Sequence, residues 1–239
     1  MNLQGQHVVV IGGTAGIGLA VARGAQRAGA RVTVASRRPG SVEAALRDLG
    51  TGAAGQVADV LDADSVDALF GMTGPVDHLV YTAGEPLTMQ MMAGLDLDRA
   101  RAFFDGRYFG ALNAVRAALP RLRSGGSVTL TSGSAAWRPA AGWALGASVC
   151  GAVNSLVRAL AVELAPLRVN AVAPGILRSG VWAELSEADR EAMYGHLGAT
   201  LPAGRAGEVE DAADAYLYCM AQTHTTGTVL NVDGGALLV

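Results

Sequence analysis

The stretch His7–Gly18, HVVVIGGTAGIG, decides the fold. His7–Ile11 is a nearly continuous β-branched run, which reads as a strand covered on both faces. It breaks at Gly12-Gly13, and helical periodicity takes over across Gly16–Ala28. Glycines let such a turn close tightly and approach a bulky anion. The helix then presents its free N–H groups and positive dipole end to the same point. A glycine turn alone is a weak signal. A strand before it, a helix after it and a second strand at the expected distance raise it to the signature of a dinucleotide diphosphate site. That reading assigns Gly12, Thr14, Gly16, Ile17 and Gly18 to cofactor binding.

Outward from this unit the same alternation continues. Arg31–Ala35, Gln56–Val60, Asp77–Thr82, Ser127–Thr131, Arg168–Ala173 and Thr228–Val232 read as further strands. Val42–Leu49, Ala63–Phe70, Asp98–Leu122, Trp143–Leu164 and Val209–Met220 read as helices. Near-uniform apolar strands alternating with amphipathic helices imply an α/β fold: a single doubly wound, Rossmann-type parallel sheet of about seven strands with helices on both faces. No linker, repeat or low-complexity tract divides residues 1–239, so one domain is expected. The least regular piece, Leu177–Gly207, follows the sixth strand and is expected to form a substrate lid, with a short helix pair over Ser186–His196.

Composition narrows the function classes. Hydrophobic residues make up 51% of the 239, but alanine and glycine supply much of this and no apolar run reaches the ~18 residues of a membrane span. A net charge of −3 without long charge runs argues against a nucleic-acid or membrane surface. Two cysteines, Cys150 and Cys219, share no ligand-like spacing, so neither a metal site nor a disulfide framework is expected. The N-terminus runs into a strand without a signal-peptide pattern, and a cytoplasmic location is expected.

The end of the second strand speaks to the cofactor. An acidic residue there would bond the ribose 2′-hydroxyl of NAD and repel a 2′-phosphate. Here the position holds Ser36 followed by Arg37 and Arg38, whose guanidinium groups match phosphate in charge and shape. NADP(H) is favoured over NAD(H).

With these residues in place the sequence resembles the short-chain dehydrogenase/reductase family over almost its whole length. The glycine loop has the family's GxxxGIG spacing, with Ile11 where a threonine is usual. Ala58-Asp59-Val60 resembles the adenine-contacting segment, and Tyr81-Thr82-Ala83-Gly84 takes the place of the NNAG motif. Asn170–Gly175 matches N-x-V-x-PG, and Thr226-Gly227 through Val232–Gly235 matches the C-terminal TG…VDGG. The resemblance implies that Asp59, Val60, Ala83, Gly84, Pro174, Gly175 and Ile176 line the cofactor. It also implies a homodimer or homotetramer built through the long helices, for which Gly146, Ala147, Gly151, Ala152 and Ser155 offer a close-packing face.

The catalytic set departs from the pattern. Family members use a serine after the fifth strand, a YxxxK pair on the next helix and often an asparagine on the helix before. Arg158–Pro166 anchors the register of that helix without a gap, which puts the tyrosine slot at Gly146 and the lysine slot at Cys150. The serine slot falls on Gly133, flanked by Ser132 and Ser134, and the asparagine slot falls on Arg107. Ser132, Ser134 and Arg107 are therefore the remaining catalytic candidates. The usual tyrosine delivers a proton to oxygen as hydride arrives, helped by the lysine's charge. Its loss typically costs about 10²- to 10⁴-fold, and matters least when the acceptor is already electrophilic. The sequence thus implies an oxidoreductase acting on an activated C=O, C=N or C=C bond of a small, apolar substrate. The alternative is a non-redox protein on the same scaffold: a cofactor sensor, a scaffold partner, or a cyclase or isomerase using the pocket.

Overall fold

In the computed structural model, which describes residues 1–85, 87 and 89–239, seven parallel strands form one sheet. The strands are β1 (His7–Ile11), β2 (Arg31–Ser36), β3 (Ala53–Val57), β4 (Val76–Tyr81), β5 (Leu122–Thr131), β6 (Arg168–Pro174) and β9 (Val229–Val232). Their order across the sheet is β3-β2-β1-β4-β5-β6-β9, the doubly wound arrangement, with β1 centred between Val32 of β2 and His78 of β4 at Val8. The reversal of winding lies between β1 and β4. In open sheets of this kind that switch point, at the carboxyl ends of the strands, is where ligands bind.

Two apolar layers cover the sheet. On one face α1 (Gly16–Arg27), α2 (Pro39–Leu49) and α8 (Val209–Ala221) bury Val21, Ala25, Ala45 and Tyr216 against Val8, Val10 and Val34. On the other, α3 (Ala63–Thr73), α5 (Gly110–Ala118) and α6 (Ala144–Glu163) close over Val9, Leu79, Val128 and Val169, and α4 (Leu97–Phe104) packs beside α6. The strands are apolar on both sides because both sides face helices. Caps set several boundaries. Asp62 accepts from the Asp64 and Ser65 amides at the start of α3, and Asp96 does the same for Asp98 and Arg99 at α4.

Three boundaries differ from the expectation. The third strand is Ala53–Val57 rather than Gln56–Val60. It is an edge strand with β2 as its one partner, and Gly55 makes room there for Val42 and Leu46 of α2, so small residues suffice and Asp59-Val60 fall in the loop beyond. The expected long helix Asp98–Leu122 is divided into α4, a π-helical turn over Asp105–Phe109, and α5, and β5 already begins at Leu122. The buried Tyr81 hydroxyl donates to the Gly106 carbonyl inside that turn, and the missing side chain of Gly110 leaves it space. A side chain inserted into the helical ladder is a standard cause of such a bulge. Finally, Ser186–His196 is not a helix pair but part of one helix, α7 (Glu187–Thr200), capped by Ser186.

Residues 177–207 leave and rejoin the body through a short parallel pair, β7 (Leu177–Arg178) with β8 (Gly207–Glu208). Within the excursion Trp182 and Tyr194 are buried in a separate apolar cluster that also takes in Leu87, Trp143 and Ile176.

Candidate active site

Because all seven strands run in one direction, the loops after β1 to β6 emerge along a single edge. That edge gathers Gly12–Ala15, Ser36–Arg38, Ala58–Val60, Thr82–Glu85, Ser132–Ser134 and Gly175-Ile176, each predicted from sequence as a site residue or beside one. At Gly12 the backbone has φ +83, a left-handed value that favours glycine, and a Cβ would stand 2.5 Å from the Ala83 nitrogen. A Cβ on Gly18 would overlap the Gly12 carbonyl and the Thr82 hydroxyl. The loop is therefore pressed against the segment after β4. The first turn of α1 has no side-chain cap and no acidic residue, so its amide N–H groups are left for an anion. Gly16 and Ile17 occupy this turn, and Thr14 lies in the loop just before it.

Arg37 and Arg38 are both exposed after β2, and Arg38 is the residue from which α2 starts. Arg37 Nη2 pairs with Glu85 Oε1 at 2.9 Å. Asp59 sits just past β3, its Oδ1 accepting the Leu61 amide at 3.0 Å, with Val60 beside it. On the far side Gly175 donates its amide to the Val232 carbonyl at 2.9 Å, and a Cβ there would stand 2.9 Å from Asp233 Cα. The Pro174-Gly175-Ile176 corner is thus locked to the strand end of β9.

Arg107, carried on the π turn, lies against Gly84 and Phe103. Its guanidinium packs flat on Gly84, where a Cβ would be 2.8 Å from Cζ, and lies 4.7 Å from the Phe103 ring centroid. Nη2 donates to the Glu85 carbonyl, and buried Nε has no partner among the described residues. Burial pulls its pKa down, opposed by Cys150, Tyr81 and Glu85. Arginine nevertheless keeps its charge in proteins, so the guanidinium is a desolvated cation.

The other candidates separate. Ser132 is buried, and its hydroxyl donates to Asn154 Oδ1 at 2.6 Å, which commits it to holding α6 rather than to chemistry. Ser134 opens a 3₁₀ turn (Ser134–Ala136) and is half-buried, with no side-chain hydrogen bond among the described residues. Cys150 lies on α6 behind Gly133, where a Cβ would meet its sulfur at 3.0 Å; burial pushes its thiol pKa up, with Arg107 acting the other way. A Cβ at Gly146 would meet only Trp143 Cε3, at 3.9 Å, so the tyrosine slot opens into free space beside that ring. Trp143 in turn stands against Trp182 of the excursion, centroids 6.2 Å apart. No lysine exists anywhere in the chain, so a shift of register recovers none. Tyr81 is excluded as an acid by burial, which drives its pKa up. Tyr194, in the excursion, is buried with Arg178 4.3 Å above its ring, while His196 is exposed. No metal-ligating cluster occurs among the described residues.

Sequence reasoning passed over Glu85, the acid immediately after the Tyr81–Gly84 motif, whose pairing with Arg37 only the structure shows. Trp143, the aromatic nearest the tyrosine slot, carries an indole N–H that cannot serve as the missing acid.

A family model for an SDR-like Rossmann domain matches residues 1–239. The chain belongs to the short-chain dehydrogenase/reductase family. Its relatives are dehydrogenases and reductases. Short-chain dehydrogenase/reductase ATR9 of Stachybotrys chlorohalonatus is 37% identical, over 99% of both chains. Among solved structures, the MalC reductase/Diels-Alderase of Malbranchea aurantiaca superposes with a TM-score of 0.92 at 31% identity, covering 99% of this chain and 98% of that one. An NADPH-bound short-chain oxidoreductase of Pseudomonas aeruginosa PAO1, described as containing an atypical catalytic centre, gives 0.90 at 30% identity, covering 97% and 96%.

Proposed function

We propose that this short-chain dehydrogenase/reductase is an NADP(H)-dependent oxidoreductase that reduces an already electrophilic C=O, C=N or C=C bond without a tyrosine–lysine pair. One observation carries the reading: the residues suited to a dinucleotide stand together along one edge, while Gly146 and Cys150 leave a desolvated arginine as the charged group over the gap. The uncapped α1 N-terminus and Gly12–Gly18 suit the diphosphate, Arg37 and Arg38 the 2′-phosphate, and Asp59 the adenine. The Pro174–Ile176 corner suits the nicotinamide, and a bound NADPH supplies the hydride.

The residues present then have limited chemistry to perform. Arg107 holds and stabilises negative charge developing on an acceptor oxygen but cannot deliver its own proton usefully. That proton comes from water or from the substrate. The cation ranks the acceptors: a conjugated enone or activated ketone gains from it, whereas a cationic iminium is repelled. Residues 177–207 act as the lid, and Trp143, Trp182 and Leu185 give the covered space an apolar character suited to a small apolar substrate. Oxidation of NADPH by the purified protein, followed across ketones, enones and iminium ions, tests the reading; no turnover with any of the three overturns it.

A second reading has one specific support, the naming of MalC as both reductase and Diels-Alderase. A pocket with no general acid can still fold a reactive substrate into a cyclising conformation. Product formed equally with and without NADPH would favour it. Assembly is also proposed: α6 exposes Ser148, Ser155 and Ala159, and a hollow of about 330 Å³ beside it is lined by Leu97, Phe104, Phe109 and Leu145. Helix α6 meets the length and composition of a membrane span, yet its Val149, Val153 and Val157 are core residues of the sheet layer, so a homodimer or homotetramer contact is the use proposed for its outer face. Sedimentation or gel filtration measures it.

A further inference from the structure

Glu85 touches two arginines with two different groups. Its carboxylate pairs with Arg37, and its backbone carbonyl accepts from Arg107. The sheet order shows what the first contact spans. Arg37 follows β2 and Glu85 follows β4, and these strands flank β1 on either side. The ion pair therefore reaches across the glycine loop that leaves β1, over the groove suited to the dinucleotide. Neither partner is fixed by burial, at 53% and 45% side-chain exposure, so each can change partners.

Resting on the NADP(H) reading above, we propose that Glu85 is a specificity-determining residue that competes with the cofactor's 2′-phosphate for Arg37. The carboxylate offers Arg37 one short contact. A phosphate carries more charge and more acceptor oxygens, in a geometry that a guanidinium fork fits. NADPH therefore displaces Glu85, and the broken pair is charged against its affinity. NADH carries no 2′-phosphate, leaves the pair standing and incurs no such loss. Glu85 thus narrows the gap between the two cofactors that Arg37 and Arg38 create. The Arg107 anchor is separable from this effect, because it uses the Glu85 backbone and survives a change of side chain.

The test is direct titration of the purified protein with NADPH and with NADH in the absence of substrate, read by nicotinamide fluorescence. Glu85→Gln is expected to tighten NADPH by about two- to fivefold, the range of an exposed ion pair, and to leave NADH unchanged. In an Arg37→Gln background the same change is expected to do nothing, since there is no pair to break. Unchanged or weaker NADPH binding in Glu85→Gln overturns the inference. So does an equal gain with and without Arg37, which would mean that Glu85 acts on the phosphate directly. If NADPH binds the wild-type protein no better than NADH and Arg37→Gln changes neither, the NADP(H) reading fails and this one with it. A wild-type preference that Arg37→Gln abolishes and Glu85→Gln leaves unmoved sinks the competition alone.

Discussion

Consider Arg107→Met, which removes the charge and keeps much of the side-chain bulk. Several folding terms oppose one another. The variant loses the charged hydrogen bond to the Glu85 carbonyl, worth about 1.5–3 kcal/mol, and the contact over Phe103, worth about 1 kcal/mol. It also removes a buried Nε with no partner among the described residues, which costs about 1–3 kcal/mol, and relieves the desolvation of the guanidinium. These terms nearly cancel, so stability is expected to move by about 1 kcal/mol or less, a shift of about 2–4 °C in Tm for a chain of this size. The transition state has no such offset. Losing a preorganised oxyanion partner costs about 10²- to 10³-fold in kcat, or about 2.7–4 kcal/mol. Calorimetry, NADPH titration and kcat on an enone therefore separate the two roles. NADPH affinity should hold, Tm should barely move and kcat should collapse. With a cationic iminium the sign reverses, and the variant should equal or exceed the wild type. A Tm lowered by more than about 8 °C with kcat per folded molecule intact would show that Arg107 is a packing residue and would refute the site.

Three further outcomes follow from the geometry. Burial pushes the His78 pKa down to about 4, helped by Arg168, from 6.5 in the unfolded chain; the unfolded state takes up its proton first, so stability is lost as pH falls from about 6.5 to about 4, by up to about 3 kcal/mol. Urea titrations at neutral and mildly acid pH should show this loss in the wild type and a smaller one in His78→Gln. Gly18→Ala places a methyl against the backbone carbonyl of Gly12, which cannot swing aside, and against the Thr82 hydroxyl, which would give up its hydrogen bond to the Ile11 carbonyl to move, so NADPH binding should be lost along with part of the stability. Gly133→Ser brings its Cβ to 3.0 Å from Cys150 Sγ and should cost about 1–3 kcal/mol alone. In a Cys150→Ala background that cost should fall, a coupling of at least about 0.5 kcal/mol in a double-mutant cycle.

The sheet was legible in sequence for a physical reason: parallel strands covered on both faces are apolar at most positions rather than alternating, and the reading of β1, β2, β4 and β6 comes within a residue or so of their bounds. The cofactor edge was legible because glycines at Gly12 and Gly18 answer steric needs that no other residue meets. What was hidden was set by side chains far apart in the chain. The π turn depends on the hydroxyl of Tyr81, 25 residues before Gly106, and α4 through α5 read as one periodic helix without it. The β7–β8 pair is two residues long on each side, too short to carry a period. The role of Ser132 was set by Asn154, which local reading treats as one more residue of α6.

The serine and lysine slots are sterically coupled. Cys150 Sγ lies where a side chain at Gly133 would begin, and Gly133 tolerates it because it has no side chain of its own. Gly146 differs: nothing but Trp143 stands near its missing Cβ, so a side chain could leave the helix there without a clash at Cβ. Restoring tyrosine alone would still not restore the family's acid. With no lysine at Cys150 and a serine hydroxyl committed to Asn154, a phenol at position 146 would lack the ammonium and the hydroxyl partner of the usual set. On the proposed reading the arginine and the open glycine belong to one arrangement, a site that stabilises negative charge developing on an acceptor oxygen instead of supplying the proton that would neutralise it.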